Sequence, residues 1–145
     1  MRTVVAALIQ SRGRILACQR RRGDTFEFQW EFPGGKVQRG ESLEKALERE
    51  LHEELGIAAR IGRKVYRCRH SYPQLKGPIE LVFFEAIAPE GEVRNLVFED
   101  IAWREPKALL ELNFLPADRE LVEKLASGAI RLGAGDDSVG KSAGG

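Results

Sequence analysis

Residues 3–10 are β-branched and apolar, and Ser11–Gly13 interrupts them before the chain resumes as RILACQR over Arg14–Arg20. Two apolar runs around a short polar break predict a hairpin. Residues 21–29 are polar and predict a loop. Trp30–Phe32 then runs into Pro33-Gly34-Gly35, a composition that predicts a turn. Between Leu43 and Leu55 the apolar residues recur at helical spacing, with Ser42 placed to cap the start and Gly56 to stop the end. Ile57–Tyr72 and Pro78–Ala88, the latter carrying ELVFFEAIA, predict further strands, with a turn at Pro89–Gly91. Phe98–Trp103 predicts a short strand, Pro106–Leu112 a short helix and Pro116–Ala126 a longer one. Strands mixed with two or three helices predict an α+β or α/β sandwich over residues 1–126. From Ser127 onward the chain is Gly-rich with few large apolar groups, which predicts a mobile tail over 127–145.

The helix over 42–55 departs from the ordinary amphipathic pattern. On a wheel of about 100° per residue, Leu43, Ala46, Leu47, Leu51 and Leu55 form one stripe that should face the core. Glu50 and Glu54 fall inside or beside that stripe, and Glu53 sits at its edge. Carboxylates crowded near a core face repel one another and lose hydration, at a cost of several kcal/mol for each unpaired charge. Arg49 offers a single positive charge against them. A divalent cation would neutralise the cluster, and hard oxygen ligands favour Mg²⁺ or Mn²⁺ over zinc.

Composition narrows the partners. The 145 residues carry 23 Lys and Arg against 22 Asp and Glu, a net charge of +1. That balance gives no general pull toward a nucleic-acid polymer or a membrane surface, so attraction to a charged ligand must come from a local site. At 43% hydrophobic the chain can bury a core without disulfides or a structural metal. Cys18 and Cys68 lack metal-type spacing and read as buried thiols of a reducing cytoplasm. The opening apolar run is too short for a signal peptide and meets SRGR at once, and no stretch is long enough to span a bilayer. His52 and His70 also lack metal spacing and read as structural or surface residues. Gly135–Ser142 fits the phosphate-loop pattern G-x-x-x-x-G-K-S, but only three residues follow it, so the helix that motif requires cannot form.

From Gly35 the chain reads GKVQRGESLEKALERELHEELGI, with Glu41, Arg49-Glu50-Leu51, Glu53-Glu54 and Gly56-Ile57 at fixed intervals. This resembles the Nudix box, G-x5-E-x7-R-E-U-x-E-E-x-G-U, at every specified position. WEFPGGK before it, the Tyr72-Pro73 pair, Trp103 and LPAD at 115–118 resemble the MutT branch of that family, which hydrolyses nucleoside triphosphates. The resemblance implies an α/β/α sandwich with a mixed sheet, and a Mg²⁺ requirement that Mn²⁺ can substitute. It implies that Glu50, Glu53 and Glu54 are metal ligands together with the carbonyl of Gly34. Arg49 is similar to the arginine that orients a catalytic glutamate, and Glu41 to that arginine's partner. The branch often adds an acidic ligand just before the Trp. Here Val97 or Phe98 falls nearest that position, and Glu99 is displaced from it by a residue or two.

For the base, the resemblance implies contacts from Arg20, Phe32, Tyr72 and Lys76. Phe32 and Tyr72 read equally well as core. Asp118 stands where MutT has an asparagine that reads oxidised guanine; it also reads as a cap for the helix after Pro116. An amide donates and accepts, whereas a carboxylate only accepts unless protonated. An ionised Asp118 suits cytosine's exocyclic amine or the N7–H of 8-oxoguanine. The implied reaction is cleavage of a (deoxy)nucleoside triphosphate to monophosphate and pyrophosphate, with modified nucleotides as possible substrates. Alternatives are a Nudix hydrolase of ADP-ribose, a nucleotide sugar or a dinucleoside polyphosphate, or a nucleotide sensor that binds without cutting.

Overall fold

In the computed structural model, residues 2–133 are described. Residues 134–145, with the phosphate-loop-like run and most of the tail expected to be mobile, lie outside them. The elements follow the sequence pattern closely: β1 (Arg2–Ser11), β2 (Arg14–Gln19), β3 (Trp30–Glu31), β4 (Gly34–Lys36), α1 (Leu43–Leu55), β5 (Arg60–His70), β6 (Ile79–Ile87), β7 (Asp100–Arg104) and α2 (Pro116–Ser127). The segment Pro106–Glu111 is a 3-10 helix, as is Glu90–Glu92 after the turn-forming Pro89.

The sheet runs β3-β2-β1-β6-β5, with β4 paired to β1 and β7 to β2. β1 and β6 are parallel and the remaining pairings antiparallel, so the sheet is mixed. Alternate residues of the central strands face two separate cores. Val5, Ala7 and Ile9 of β1, with Val82, Phe84 and Ala86 of β6, pack against Ala46, Leu47, Leu51 and Leu55 of α1. Ala6 and Leu8, with Ile79, Leu81 and Phe83, pack against Leu121, Val122 and Leu125 of α2. A helix on each face explains why β1 and β6 are apolar without alternation. The molecule is an α/β/α sandwich.

One expectation needs correction. Pro33-Gly34-Gly35 is not a turn: Gly34–Lys36 is a strand whose residues pair with Val4–Ala6 of β1. The cause lies far away in sequence. β1 and β2 pair only near their shared turn, at Gln10↔Ile15 and Ser11↔Arg14, and then diverge. Trp30–Lys36 fills the split, with β3 on Cys18 and Gln19 of β2, and β4 on β1. Pro33 contributes a carbonyl to the amide of Ala7 at 2.8 Å. Gly34 is required there because a Cβ would stand 1.9 Å from the carbonyl oxygen of Val5.

Past α2 the chain still packs. Ile130 and Leu132 lie against the α2-side core, and Gly133 hydrogen-bonds Gln10 and Glu85. Packed chain therefore continues beyond Ala126, at least to Gly133. No helix among the described residues is long and apolar enough to cross a membrane. Both cysteines are free; Cys18 is buried, but Cys68 is only partly so, because β5 is an edge strand.

Candidate active site

α1 delivers the carboxylates in a fixed frame. Ser42 accepts from the Lys45 amide at 3.1 Å, and Gly56, at φ 68°, sends its amide to the His52 carbonyl. The loop after β6 caps the same end: the Arg94 and Leu96 amides donate to the carbonyls of Leu55 and Glu54. Four buried apolar residues, Ala46, Leu47, Leu51 and Leu55, fix the helix's rotation, and rotation decides where each glutamate points.

Arg49 organises the outer part of the cluster. Its guanidinium holds Glu41 with two bonds, at 2.7 and 2.9 Å, and reaches Glu50 at 3.1 Å and Glu53 at 3.5 Å. It also donates to the Lys36 carbonyl at 3.1 Å, which ties α1 to β4. The Arg49 hydrogen bonds, followed by the Gln38 amide, lower the Glu41 carboxyl to about 2. Glu50 lies against β4, where a Cβ on Gly35 would come 2.4 Å from its carboxyl carbon. Burial raises Glu50 and outweighs the hydrogen bond from Arg49.

Glu54 is the innermost of the three. It accepts from the Gly34 amide at 3.1 Å. Burial, and then the nearby Glu50 and Glu31, push it up to about 9. Such a carboxyl is protonated at neutral pH unless a cation takes the proton's place. This donor set, oxygen-only with Glu50 and Glu54 drawn out of water, fits a hard divalent cation. Glu50, Glu53, Glu54 and the Gly34 carbonyl would hold it. Among the described residues no three His, Cys, Asp or Glu side chains enclose a single point. Arg49 instead engages Glu50 and Glu53.

Glu99 is placed elsewhere. Its carboxylate accepts from the Arg22 amide at 3.3 Å, and its own amide donates to the Gln19 carbonyl. These two bonds tie Glu99 to the 20–29 loop.

On the α2 side of the split hairpin, a crevice of about 300 Å³ is lined by Arg20, Phe26, Glu31, Phe32, Tyr72 and Asp118 and ends at Gly34, Gly35, Lys36 and Glu54. Phe32 and Tyr72 are both core and crevice wall: Phe32 is wedged between Phe83 and Phe114, with centroids at 6.2 and 5.0 Å, and both are under a tenth exposed. Tyr72 Oη accepts from the Ala117 amide at 2.9 Å, fixing the start of α2. Asp118 is only 3% exposed, and burial raises its carboxyl, assisted by Glu31. It does not cap α2; the N-cap is Leu115, which makes no side-chain bond. Lys76 is exposed and does not line the crevice; Leu75 does. Arg20 is committed to protein partners, donating to the Thr25 carbonyl at 2.6 Å and to Glu31 at 3.1 and 3.2 Å. His52 is exposed on α1, and His70 stacks on Tyr72 at 4.3 Å.

Two crevice residues escape the sequence pattern. Glu31 stands between Arg20, Asp118 and Glu54; burial raises its carboxyl although Arg20 opposes that. Its signal is an acid set between two aromatics, Trp30-Glu31-Phe32, at the end of β3. Phe26 is hidden in a loop of polar character, where two phenylalanines are themselves the anomaly.

Fold and site together define a Nudix-type hydrolase, and the chain belongs to the NUDIX domain family, whose model matches residues 1–125. Its relatives lie in the MutT-like part of that family. The chain is 37% identical over 120 residues to the CTP pyrophosphohydrolase of Escherichia coli strain K12, covering 83% of this chain and 87% of that protein. It is 37% identical over 123 residues to the 8-oxo-dGTP diphosphatase of Haemophilus influenzae, covering 84% and 89%. Among solved structures, the MutT Nudix hydrolase of Burkholderia pseudomallei superposes with a TM-score of 0.70 at 29% identity, covering 84% of this chain and 95% of that one.

Proposed function

We propose that this hydrolase cleaves (deoxy)nucleoside triphosphates to the monophosphate and pyrophosphate with Mg²⁺, Mn²⁺ being a substitute, and that its substrates include cytidine-type or oxidised-guanine nucleotides. The carrying observation is that one crevice joins a base-sized pocket at Phe32 and Asp118 to Glu54 and the Gly34–Lys36 strand beside Glu50. A nucleotide with its base at Asp118 extends its phosphates toward the carboxylates. A triphosphate and a carboxylate cluster repel each other, and a bound divalent cation supplies the neutralising charge and lowers the pKa of attacking water. Arg49 holds Glu50 and Glu53 in register and is itself braced by Glu41. Glu53, the most exposed of the three partners of Arg49, is the group to accept the water proton. Attack at the β-phosphorus follows the pattern of the MutT branch. A cytoplasmic site of action, where nucleotides and Mg²⁺ are abundant, accords with this reading.

The buried Asp118 revises the specificity argument. Burial raises its carboxyl and so favours the protonated form, which both donates and accepts, as the asparagine at the corresponding MutT position does. Cytosine, with an amine beside a ring acceptor, and 8-oxoguanine, with N7–H beside carbonyl oxygens, are both complementary. The relatives named for CTP and for 8-oxo-dGTP support the same pair.

A panel of canonical and modified triphosphates, assayed with Mg²⁺ for pyrophosphate release, tests the reading. Glu50→Gln and Glu53→Gln should each lower kcat by at least about a hundredfold. Unchanged pyrophosphate release in either variant would remove the mechanism. Turnover of ADP-ribose, a nucleotide sugar or a dinucleoside polyphosphate but of no triphosphate would overturn the substrate class.

A further inference from the structure

The aromatic rings at the crevice are not equally free to meet a ligand. Phe32 is 3% exposed and clasped by Phe83 and Phe114. Tyr72 has His70 at 4.3 Å and Phe26 at 4.8 Å, so neighbours already occupy its ring. Phe26 alone of the three is half-buried rather than buried; it rises from the 20–29 loop, meets Tyr72 on one side, and lines the crevice beside Thr25 and Arg20.

The loop that carries Phe26 is built rather than slack. Its base is closed by Arg20 N–H to the Gln29 carbonyl and Phe28 N–H to the Arg20 carbonyl, both at 2.8 Å. Gln19 Nε2 donates to the Phe28 carbonyl at 3.0 Å, and the Gly23 amide to Glu27 at 2.9 Å. The Arg20 guanidinium spans the Thr25 carbonyl and Glu31, and Glu99 takes the Arg22 amide. This frame holds Phe26 at φ 62° and Phe28 at φ 66°, in the left-handed region that phenylalanine rarely adopts. Strain of this kind persists only where surroundings over-determine it, and it gathers at ligand clamps. Here the frame holds the Phe26 ring on the wall of a crevice that Glu31 and Asp118 also line.

We propose that Phe26, and not Phe32, is the ring on which the nucleobase stacks, and that Arg20 is a positioning residue which sets the 20–29 arm instead of contacting the base. The inference rests on the triphosphate reading above. It makes the arm, a segment outside the family's signature helix, the element that holds the base by its face while Asp118 meets its edge.

The test compares a ligand with a base and one without. KM is measured for the best triphosphate of the panel, and Ki for inorganic tripolyphosphate as competitor, in wild type, Phe26→Ala and Phe26→Tyr. Phe26→Ala should raise KM roughly tenfold to a hundredfold, with kcat and the tripolyphosphate Ki little changed, and Phe26→Tyr should restore KM. Phe32→Leu should leave the ratio of KM to Ki near that of wild type. An unchanged KM in Phe26→Ala overturns the proposal, as does an equal rise in KM and Ki, which marks a purely structural arm. A wild type inactive on every triphosphate sinks the substrate class itself, a result separate from either.

Discussion

Gly35 and Gly34 are adjacent, yet their missing side chains do different things. A Cβ on Gly35 would meet only the carboxyl end of Glu50, at 2.4 Å. That end can swing away, so Gly35→Ala should leave the fold standing while displacing the Glu50 carboxylate from its place. A Cβ on Gly34 would meet the backbone of β1, which cannot swing. The expected outcome for Gly35→Ala is a melting temperature within a few degrees of wild type and an Mg²⁺ requirement raised by about tenfold or more. For Gly34→Ala the expected outcome is a loss on the order of 3 kcal/mol in denaturant unfolding, from overpacking against fixed backbone. Chemical melts beside Mg²⁺ titrations of activity check both. If Gly35→Ala unfolds the protein as badly as Gly34→Ala, the assignment of Gly35 to the site is wrong.

At the scale of elements, the frame of α1 is legible in the amino-acid pattern alone. Ser42, the leucine stripe and Gly56 are local signals, and local signals survive folding. β4 is not legible in that way, because Pro-Gly-Gly says turn to any local reading and says strand only once β1 and β2 splay apart. Glu99 illustrates the same limit. Counting residues back from Trp103 puts it near a ligand position, but the strand pairing Gln19↔Asp100 turns the preceding residue toward the 20–29 arm. A clear outcome separates the two roles. With Glu99 as an anchor for the arm, Glu99→Gln, whose carbonyl still accepts from Arg22, should leave the half-saturating Mg²⁺ concentration within about twofold of wild type. A metal ligand lost at that position typically costs roughly tenfold to a hundredfold, as an outer partner does. A shift of that size on Mg²⁺ titration would return Glu99 to the metal site.

Across the whole molecule, folding raises several acids and lowers one, and their signs oppose. Two cores fill the faces of one sheet, so whatever lies in the gap between β1 and β2 is taken out of water. Glu54 goes from an ordinary carboxyl in the unfolded chain to about 9 in the fold, and burial moves Glu50, Glu31 and Asp118 the same way. Between the ordinary carboxyl range and about 9 the native state therefore holds more protons than the unfolded one, and metal-free stability declines as pH rises through that window. Glu41 acts oppositely: held at about 2 by Arg49, it contributes stability above the ordinary carboxyl range that is lost as pH falls toward 2. A divalent cation changes the first balance and not the second. Bound to the ionised carboxylates of the native state alone, it would displace the proton from Glu54, and its stabilisation would grow as that proton becomes easier to remove. The gain in melting temperature on adding Mg²⁺ should thus increase steadily from about pH 6 to about 9. Calorimetric titration at neutral pH should show release of about one proton per chain, read from the dependence of the binding enthalpy on buffer ionisation. Glu54→Gln should abolish both the pH dependence and the proton release. A gain that stays flat over this range in the wild type would mean that the buried carboxyl at the end of the crevice is not where the cation binds.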